Sequence, residues 1–343
     1  MKILLDIGHP KDVNVFKDVI NELEHRNHQV KVFARAKENT QRMLNDLGID
    51  YYLCPYYTNI LGKAFGIPIN DIRLFNFARK FKPDIFVSPG SPYSAHVSRI
   101  LRRPHVAFPD TEIAGFVMKL AFPFTDKIYT SNSFYLNLGS KQSRFEGYYE
   151  LAYLHPSYFT PDRNVLDKYD LEEGYIVLRL SALASHHDIG AKGFSFESED
   201  DLKKLILLFE KYGKVIIFSE TNDWPLIEEH KIDIDPADLH HILYFSKLYI
   251  GEGATMASES AILGVPSIYV SNTRRGYLDE LEKRYGLCYT IEDKNNAIEK
   301  ALTLLQDKNL NSNWRVKTVK LYNETTDIVK YITEAIEKNI VKN

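Results

Sequence analysis

The sequence predicts an α/β protein of two doubly wound domains, and three observations carry that expectation. The first is the order of segments. Short buried-type apolar runs alternate with amphipathic stretches along most of the chain, the pattern of βαβ units and parallel sheets. The second is length, since 343 residues suit two domains of about 150 each. The third is the segment 251–270, GEGATMASESAILGVPSIYV. There a strand signal runs through a glycine turn into a helix and on to another strand.

Residues 2–7 read as a buried strand, and 13–26 as an amphipathic helix with Val15, Phe16, Val19, Ile20 and Leu23 on one face. Residues 29–33 form the second expected strand, 38–47 a helix and 50–53 the third strand. A loop with helical pieces runs to residue 81, followed by strand 84–88, helix 92–101, and strands 105–108 and 127–130. Parallel strands with right-handed crossovers bind ligands at their carboxyl ends. That selects the loops at 8–12, 89–93 and 109–112. The aromatic, proline-bearing stretch 146–162 reads as the interdomain linker. A second series follows, with strands 175–180 and 215–218, helices 199–211 and 238–245, then the glycine-turn segment. Helices at 295–306 and 312–338 close the chain. The expected domains are 1–150 and 151–310, with 311–343 as a C-terminal helix packing back toward the first domain.

With 44% hydrophobic residues the chain can bury two ordinary cores. A net charge of −3 and a pI near 6.4 supply no global field for nucleic acid, which is excluded as a partner. Cys54 and Cys288 lie far apart without CxxC spacing, which argues against a disulfide framework or zinc site and for a reducing compartment. The opening MKILLDIGHP has too short an apolar run for a signal peptide, and no stretch approaches the roughly 18–20 apolar residues of a membrane span. A soluble, cytoplasmic protein is expected.

In the glycine turn, Gly251 and Gly253 let the backbone approach a ligand without a Cβ in the way. Thr255 is the expected N-cap, and the free N–H groups behind it suit a diphosphate. Glu259 lies one turn further on the same face, where a carboxylate can accept both hydroxyls of a ribose. The residues alone also allow a packed crossover in which the glycines serve only the fold.

The pattern G-x-G-x-T-x-x-x-E-(S/A)-A-x-x-G-x-P resembles the nucleotide-sugar motif in the C-terminal domain of GT-B glycosyltransferases, such as the enzyme that adds N-acetylglucosamine to lipid I. It is also similar to that of the non-hydrolysing UDP-N-acetylglucosamine 2-epimerases. The resemblance implies that Gly253, Ala254, Thr255 and Met256 hold the diphosphate and Glu259 the ribose. Together with D-I-G-H-P, K-P-D-I-F-V-S-P-G-S-P and F-P-D-T-E, the motif resembles "domain of unknown function 354", a GT-B-like family, over nearly the full chain. The fold implied by the resemblance is two Rossmann-like doubly wound domains in the GT-B architecture, with a cleft between them. The implied activity is that of a metal-independent glycosyltransferase without a cofactor, using a nucleoside-diphosphate sugar (a UDP-sugar favoured) in surface polysaccharide or glycolipid assembly. Its acceptor would be a sugar or a lipid-linked sugar. The alternatives are a 2-epimerase-like enzyme and a non-catalytic nucleotide-sugar-binding protein.

Other positions can carry chemistry. His9, after the first strand, suits a general base on an acceptor hydroxyl, or a cap on the following helix. Asp110 and Glu112 suit a base or sugar-hydroxyl ligands, or an ordinary helix start with Asp110 as cap. Ser91 stands where the 2-epimerases carry the acid of G-D-T, which counts against epimerase chemistry, and suits a ligand hydrogen bond on the acceptor side. Arg179, at a strand end, suits a leaving diphosphate. Arg274 and Arg275 suit the donor sugar or a solvated loop. His186, His187 and Asp188 read as a loop, not a metal site, and His240 and His241 as structural or beside a nucleobase. Between residues 61 and 103 eight basic residues face two acidic ones, near Phe65, Phe75, Phe77 and the apolar 114–124. Solvated helix faces or peripheral contact with anionic lipid, on the inner face of the membrane, both fit.

Overall fold

The computed structural model describes residues 1–57, 60–113, 115–180, 194, 196, 198–219 and 224–340. The chain divides into two units, Met1–Tyr153 with Thr325–Asn343, and Leu154–Glu324.

In the first unit the chain runs through β1 (Lys2–Ile7), α1 (Pro10–His25), β2 (Gln29–Arg35), α2 (Thr40–Asp46), β3 (Tyr51–Cys54) and α3 (Ile60–Phe81). Next come β4 (Ile85–Ser88), α4 (Pro92–Leu101), β5 (His105–Ala107), α5 (Gly115–Ala121), β6 (Lys127–Ser131), β7 (Gln142–Phe145) and α6 (Leu151–Leu154). The sheet order is β3-β2-β1-β4-β5-β6-β7, and every pairing is parallel. Strands covered on both faces read as continuous apolar runs, and the last five residues of β1 and all of β4 and β5 are buried. Helix α1 buries Val13, Val15, Phe16, Val19, Ile20 and Leu23, worth about 1.5–3 kcal/mol for each large apolar side chain. It starts sharply because Pro10 fits the first turn and Asp12 accepts the Gly8 and His9 N–H groups at 2.9 and 2.8 Å.

The second unit runs through α7 (Asn164–Asp167), β8 (Ile176–Leu180), α8 (Glu199–Phe209), β9 (Val215–Ser219), α9 (Pro225–His230), α10 (Leu239–Phe245), β10 (Leu248–Gly251) and α11 (Ala254–Ile262). It continues through β11 (Ser267–Val270), α12 (Gly276–Glu280), β12 (Cys288–Ile291), α13 (Lys294–Leu305) and α14 (Leu310–Glu324). Its parallel sheet has the order β12-β11-β10-β8-β9. The last helix, α15 (Ile328–Lys338), lies in the first unit, where it packs on α1 and Glu337 pairs with Arg26 and His28 at 2.9 and 3.0 Å. Two doubly wound Rossmann-like units are thus present, as the sequence predicts.

Two local expectations need correction. Residues 60–81 form one long helix, α3, in place of a loop with helical pieces, and Asn70, Leu74 and Ala78 make its buried stripe despite the internal Pro68. The run 312–338 is two helices, since the Asp327 side chain accepts the Lys330 N–H and caps a new start after Glu324. The stretch read as the interdomain linker contains the division between the units, after Tyr153, and its first half is packed, with Tyr148, Tyr149, Glu150 and Tyr153 buried.

Each sheet reverses its winding once. In the first unit the reversal falls between β1 and β4, in the second between β8 and β10. Ligands of such sheets bind outside the carboxyl ends at these points.

Candidate functional site

At the reversal of the second unit, Gly251 ends β10 opposite Arg179 of β8. Its φ is +157°, and a Cβ there would stand 2.3 Å from the Arg179 carbonyl oxygen. Only glycine fits so close an approach. The N-cap of α11 is Gly253, not Thr255. The Tyr249 hydroxyl donates to the Gly253 carbonyl at 3.0 Å, fixing the turn one residue pair earlier than expected. Ala254, Thr255 and Met256 therefore fill the first three helical positions, whose N–H groups have no acceptor within the helix. The first intrahelical bond is Ala257 N–H to Gly253 at 2.9 Å. A Cβ on Gly253 would lie 2.9 Å from the Tyr249 hydroxyl and 3.3 Å from Arg179 Cγ. The helix start and the Arg179 side chain are thus neighbours, and together they offer dipole and cation to an anion.

Glu259, one turn into α11, is buried. Its Oε1 lies 3.1 Å from Nε2 of His240, a buried residue of α10. Phe159 packs against His240 and His241 at 6.3 and 4.8 Å between ring centroids. The His241 Nδ1 accepts the Asp162 N–H. At the other end of α11, Gly264 at φ +78° turns the chain into β11, and Tyr322 of α14 donates to the Ile262 carbonyl.

Arg274 follows β11 and pairs with Asp279 of α12 at 2.7 Å. That contact raises its pKa and fastens it to its own loop. Arg275 is the N-cap position of α12. His186, His187 and Asp188 lie outside the described residues.

In the first unit, His9 is the N-cap of α1, and its Nδ1 accepts the Lys11 N–H at 3.2 Å. Burial, and then the Lys37 charge, lower its pKa below the ordinary value, so the ring is neutral near pH 7. With Nδ1 accepting, the neutral ring carries its proton on Nε2, which faces Glu38 at 3.8 Å.

Asp110 does not begin a helix, since α5 starts only at Gly115. Instead Lys11 Nζ sits 2.8 Å from Asp110 and 3.0 Å from the buried Glu150. Burial alone would raise the Asp110 carboxyl, but the Lys11 ion pair outweighs it and holds the group below its ordinary value. Asp12 behaves oppositely. Burial and the nearby Asp110 charge push it up to about 6, against its two backbone hydrogen bonds. Glu112 is buried and accepts the Tyr135 N–H at 3.2 Å.

Ser91 is the buried N-cap of α4, and its Oγ makes no hydrogen bond among the described residues. Beneath it, Ser88 Oγ accepts the Gly90 and Ser91 N–H groups. His105, whose pKa burial lowers to about 3, is neutral and completes a chain from Ser88 to Thr125 at 3.0 and 2.9 Å. Thr125 donates onward to the Ala121 carbonyl. His105 therefore donates from Nδ1 and accepts the Ser88 proton at Nε2.

Several participants escape sequence reasoning. Arg35, buried at the end of β2, pairs with Asp6, which also accepts from Ser94 at 2.9 Å. A Cβ on Gly8 would lie 2.3 Å from the Arg35 guanidinium. Lys11, Asp12, Glu150 and Tyr249 belong to the same class. Only Asp12 carries a sequence signal, since it stands three residues after His9, the capping-box spacing. Among the described residues no group of His, Cys, Asp or Glu is arranged to hold a metal ion, and no helix is long and apolar enough to cross a membrane.

The family model described as "Protein of unknown function (DUF354)" matches residues 1–337. No curated protein sequence matches the chain. Among solved structures, the UDP-GlcNAc 2-epimerase of Neisseria meningitidis bound to UDP-GlcNAc is similar with a TM-score of 0.73 at 14% identity, covering 99% of this chain and 100% of that one. The UDP-GlcNAc 2-epimerase of Methanocaldococcus jannaschii in complex with UDP-GlcNAc and UDP gives 0.62 at 15% identity, covering 94% and 100%. A glycosyltransferase of Streptomyces sp. SF2575 gives 0.58 at 14% identity, covering 97% and 99%. At such identities the likeness is one of fold, and the fold is the two-unit GT-B architecture.

Proposed function

The chain belongs to the DUF354 family, and on that premise we propose that it is a metal-independent glycosyltransferase acting on a nucleoside-diphosphate sugar, a UDP-sugar by preference. The observation that carries this reading is the turn from β10 into α11. Two glycines bring backbone against Arg179, and the N–H groups of Ala254, Thr255 and Met256 come next. A helix start beside an arginine suits a diphosphate leaving group without further cations. Glu259, oriented by His240, takes the ribose hydroxyls, and the neighbouring Phe159 and His241 suit the base. In the first unit His9 serves as base toward an acceptor hydroxyl, which requires it to release the Lys11 N–H. Asp110, kept ionised by Lys11, holds acceptor hydroxyls, and Ser91 Oγ donates to the acceptor. Sugar or lipid-linked acceptors of surface polysaccharide or glycolipid assembly fit this arrangement.

The second reading is a 2-epimerase-like enzyme, favoured by the TM-score of 0.73 to such a protein. Against it, Ser91 stands where the resemblance to the 2-epimerases implies an acid, and a serine hydroxyl supplies none. Incubation with a UDP-sugar separates the two. A transferase releases UDP in proportion to added acceptor, whereas an epimerase interconverts the donor with no acceptor present. Tight nucleotide binding with neither reaction, and no loss of cellular function on changing His9 or Asp110, would assign a non-catalytic binder.

A further inference from the structure

One face of the first unit takes no part in the site above. Met118 and Ala121 of α5 turn inward, but Phe116 is 72% exposed, Ile113 just before the helix is 62% exposed, and Val117 is also exposed. Phe124, exposed beyond the end of α5, packs its edge on His96 of α4 at 5.2 Å. His96 is itself held between Asp71 of α3 at 2.9 Å and the Leu120 carbonyl at 3.2 Å. The apolar stripe is therefore tied to the outer side of α4, where Ile100 is 63% exposed.

The same side of α4 is basic. Arg99, Arg102 and Arg103 line a surface cavity of about 530 Å³, together with Phe124 and Asp126. Arg103 lies 4.0 Å from Asp84, and the Asp126 carboxylate accepts the His105 N–H. Arg99 and Arg102 are exposed and form no ion pair among the described residues. The cavity opens at the amino end of β5, opposite the strand ends that present His9, Ser91 and Asp110.

We propose that this face docks the protein on an anionic lipid surface. The arginines take headgroup phosphates, while Phe116, Ile113 and Ile100 enter the boundary of the acyl region. Apolar side chains beside cations are what an interfacial surface presents. A second copy of the chain would set the same arginines against these, a like-charge contact, and a soluble phosphate would leave the apolar stripe exposed to water. Lipid docking is independent of what the second unit binds.

Sedimentation of the full chain with phosphatidylglycerol–phosphatidylcholine vesicles, against phosphatidylcholine alone, tests the proposal. Binding to the anionic vesicles only, falling with added salt, is the expected result. Arg99→Ala and Arg102→Asn should each weaken it about five-fold, and Phe116→Ser should weaken it further. All three positions are exposed, and an unchanged melting temperature checks the fold. Equal binding to neutral vesicles, no binding, or competition by glycerol phosphate with Phe116→Ser silent would overturn it. So would a concentration-dependent dimer abolished by Phe116→Ser in a protein that ignores vesicles.

Discussion

His240 Nε2 lies 3.1 Å from Glu259 Oε1, and both side chains are buried. The imidazole turns a carboxylate that the α11 backbone delivers, so its orientation depends on a second helix. Glu259→Ala is expected to weaken UDP binding by about 10- to 100-fold, the size of a charged hydrogen bond. His240→Ala should weaken it less, through misorientation, with Glu259 still present. Isothermal titration of the two variants checks the order. Equal, negligible effects would leave the pair a packing contact.

Gly253→Ala places a methyl group 2.9 Å from the Tyr249 hydroxyl and 3.3 Å from Arg179 Cγ. The φ of Gly253, −78°, suits any residue, so backbone strain is small and the damage is local. Nucleotide affinity should fall about ten-fold or more while stability drops by about 1–3 kcal/mol, as for overpacking. Calorimetry and urea unfolding of one preparation separate the two effects.

His9→Asn keeps a side-chain acceptor for the helix cap and removes the imidazole. Stability should hold, and turnover should fall by about 10²-fold or more if the ring is the base. Unchanged turnover would confine His9 to the cap it visibly forms.

Asp12 has a folded pKa near 6 against an ordinary 3.8. The neutral form is favoured in the folded state, so this relative stabilisation is complete below about pH 4. It is lost as pH rises through 6, at a cost of up to roughly 3 kcal/mol. Asp12→Asn, which can still accept both backbone N–H groups, should therefore gain stability over the wild type on going from pH 4.5 to 7.5. Urea unfolding at the two pH values reads the sign directly. A gain that shrinks with pH would mean that the carboxylate is well solvated.

The range of each interaction decides whether the sequence shows it or hides it. Continuous apolar runs such as Leu248–Gly251 mark strands buried on both faces, so the alternation of elements was legible. The edge strand β7, Gln-Ser-Arg-Phe, is polar and short, and owes its pairing to β6 rather than to its own pattern. Glu259 was visible from motif spacing, yet its partner His240 was not, because they meet only when α10 packs on α11. The side chain of Thr255 suits a cap, but the Tyr249 hydroxyl holds the Gly253 carbonyl and the helix starts at Ala254. Lys11 between Asp110 and Glu150 carries no sequence signal, since these partners lie 99 and 139 positions away and nothing local links them.

The proposed activity requires the start of α11 to hold a nucleoside diphosphate. Thermal shifts of the purified protein with UDP, GDP, ADP, dTDP and CMP, beside Glu259→Ala, test it most directly. Stabilisation by one diphosphate, UDP above the others, and its loss in the variant is the predicted result. No stabilisation by any of them would contradict the claim and leave the turn from β10 to α11 as a packed crossover.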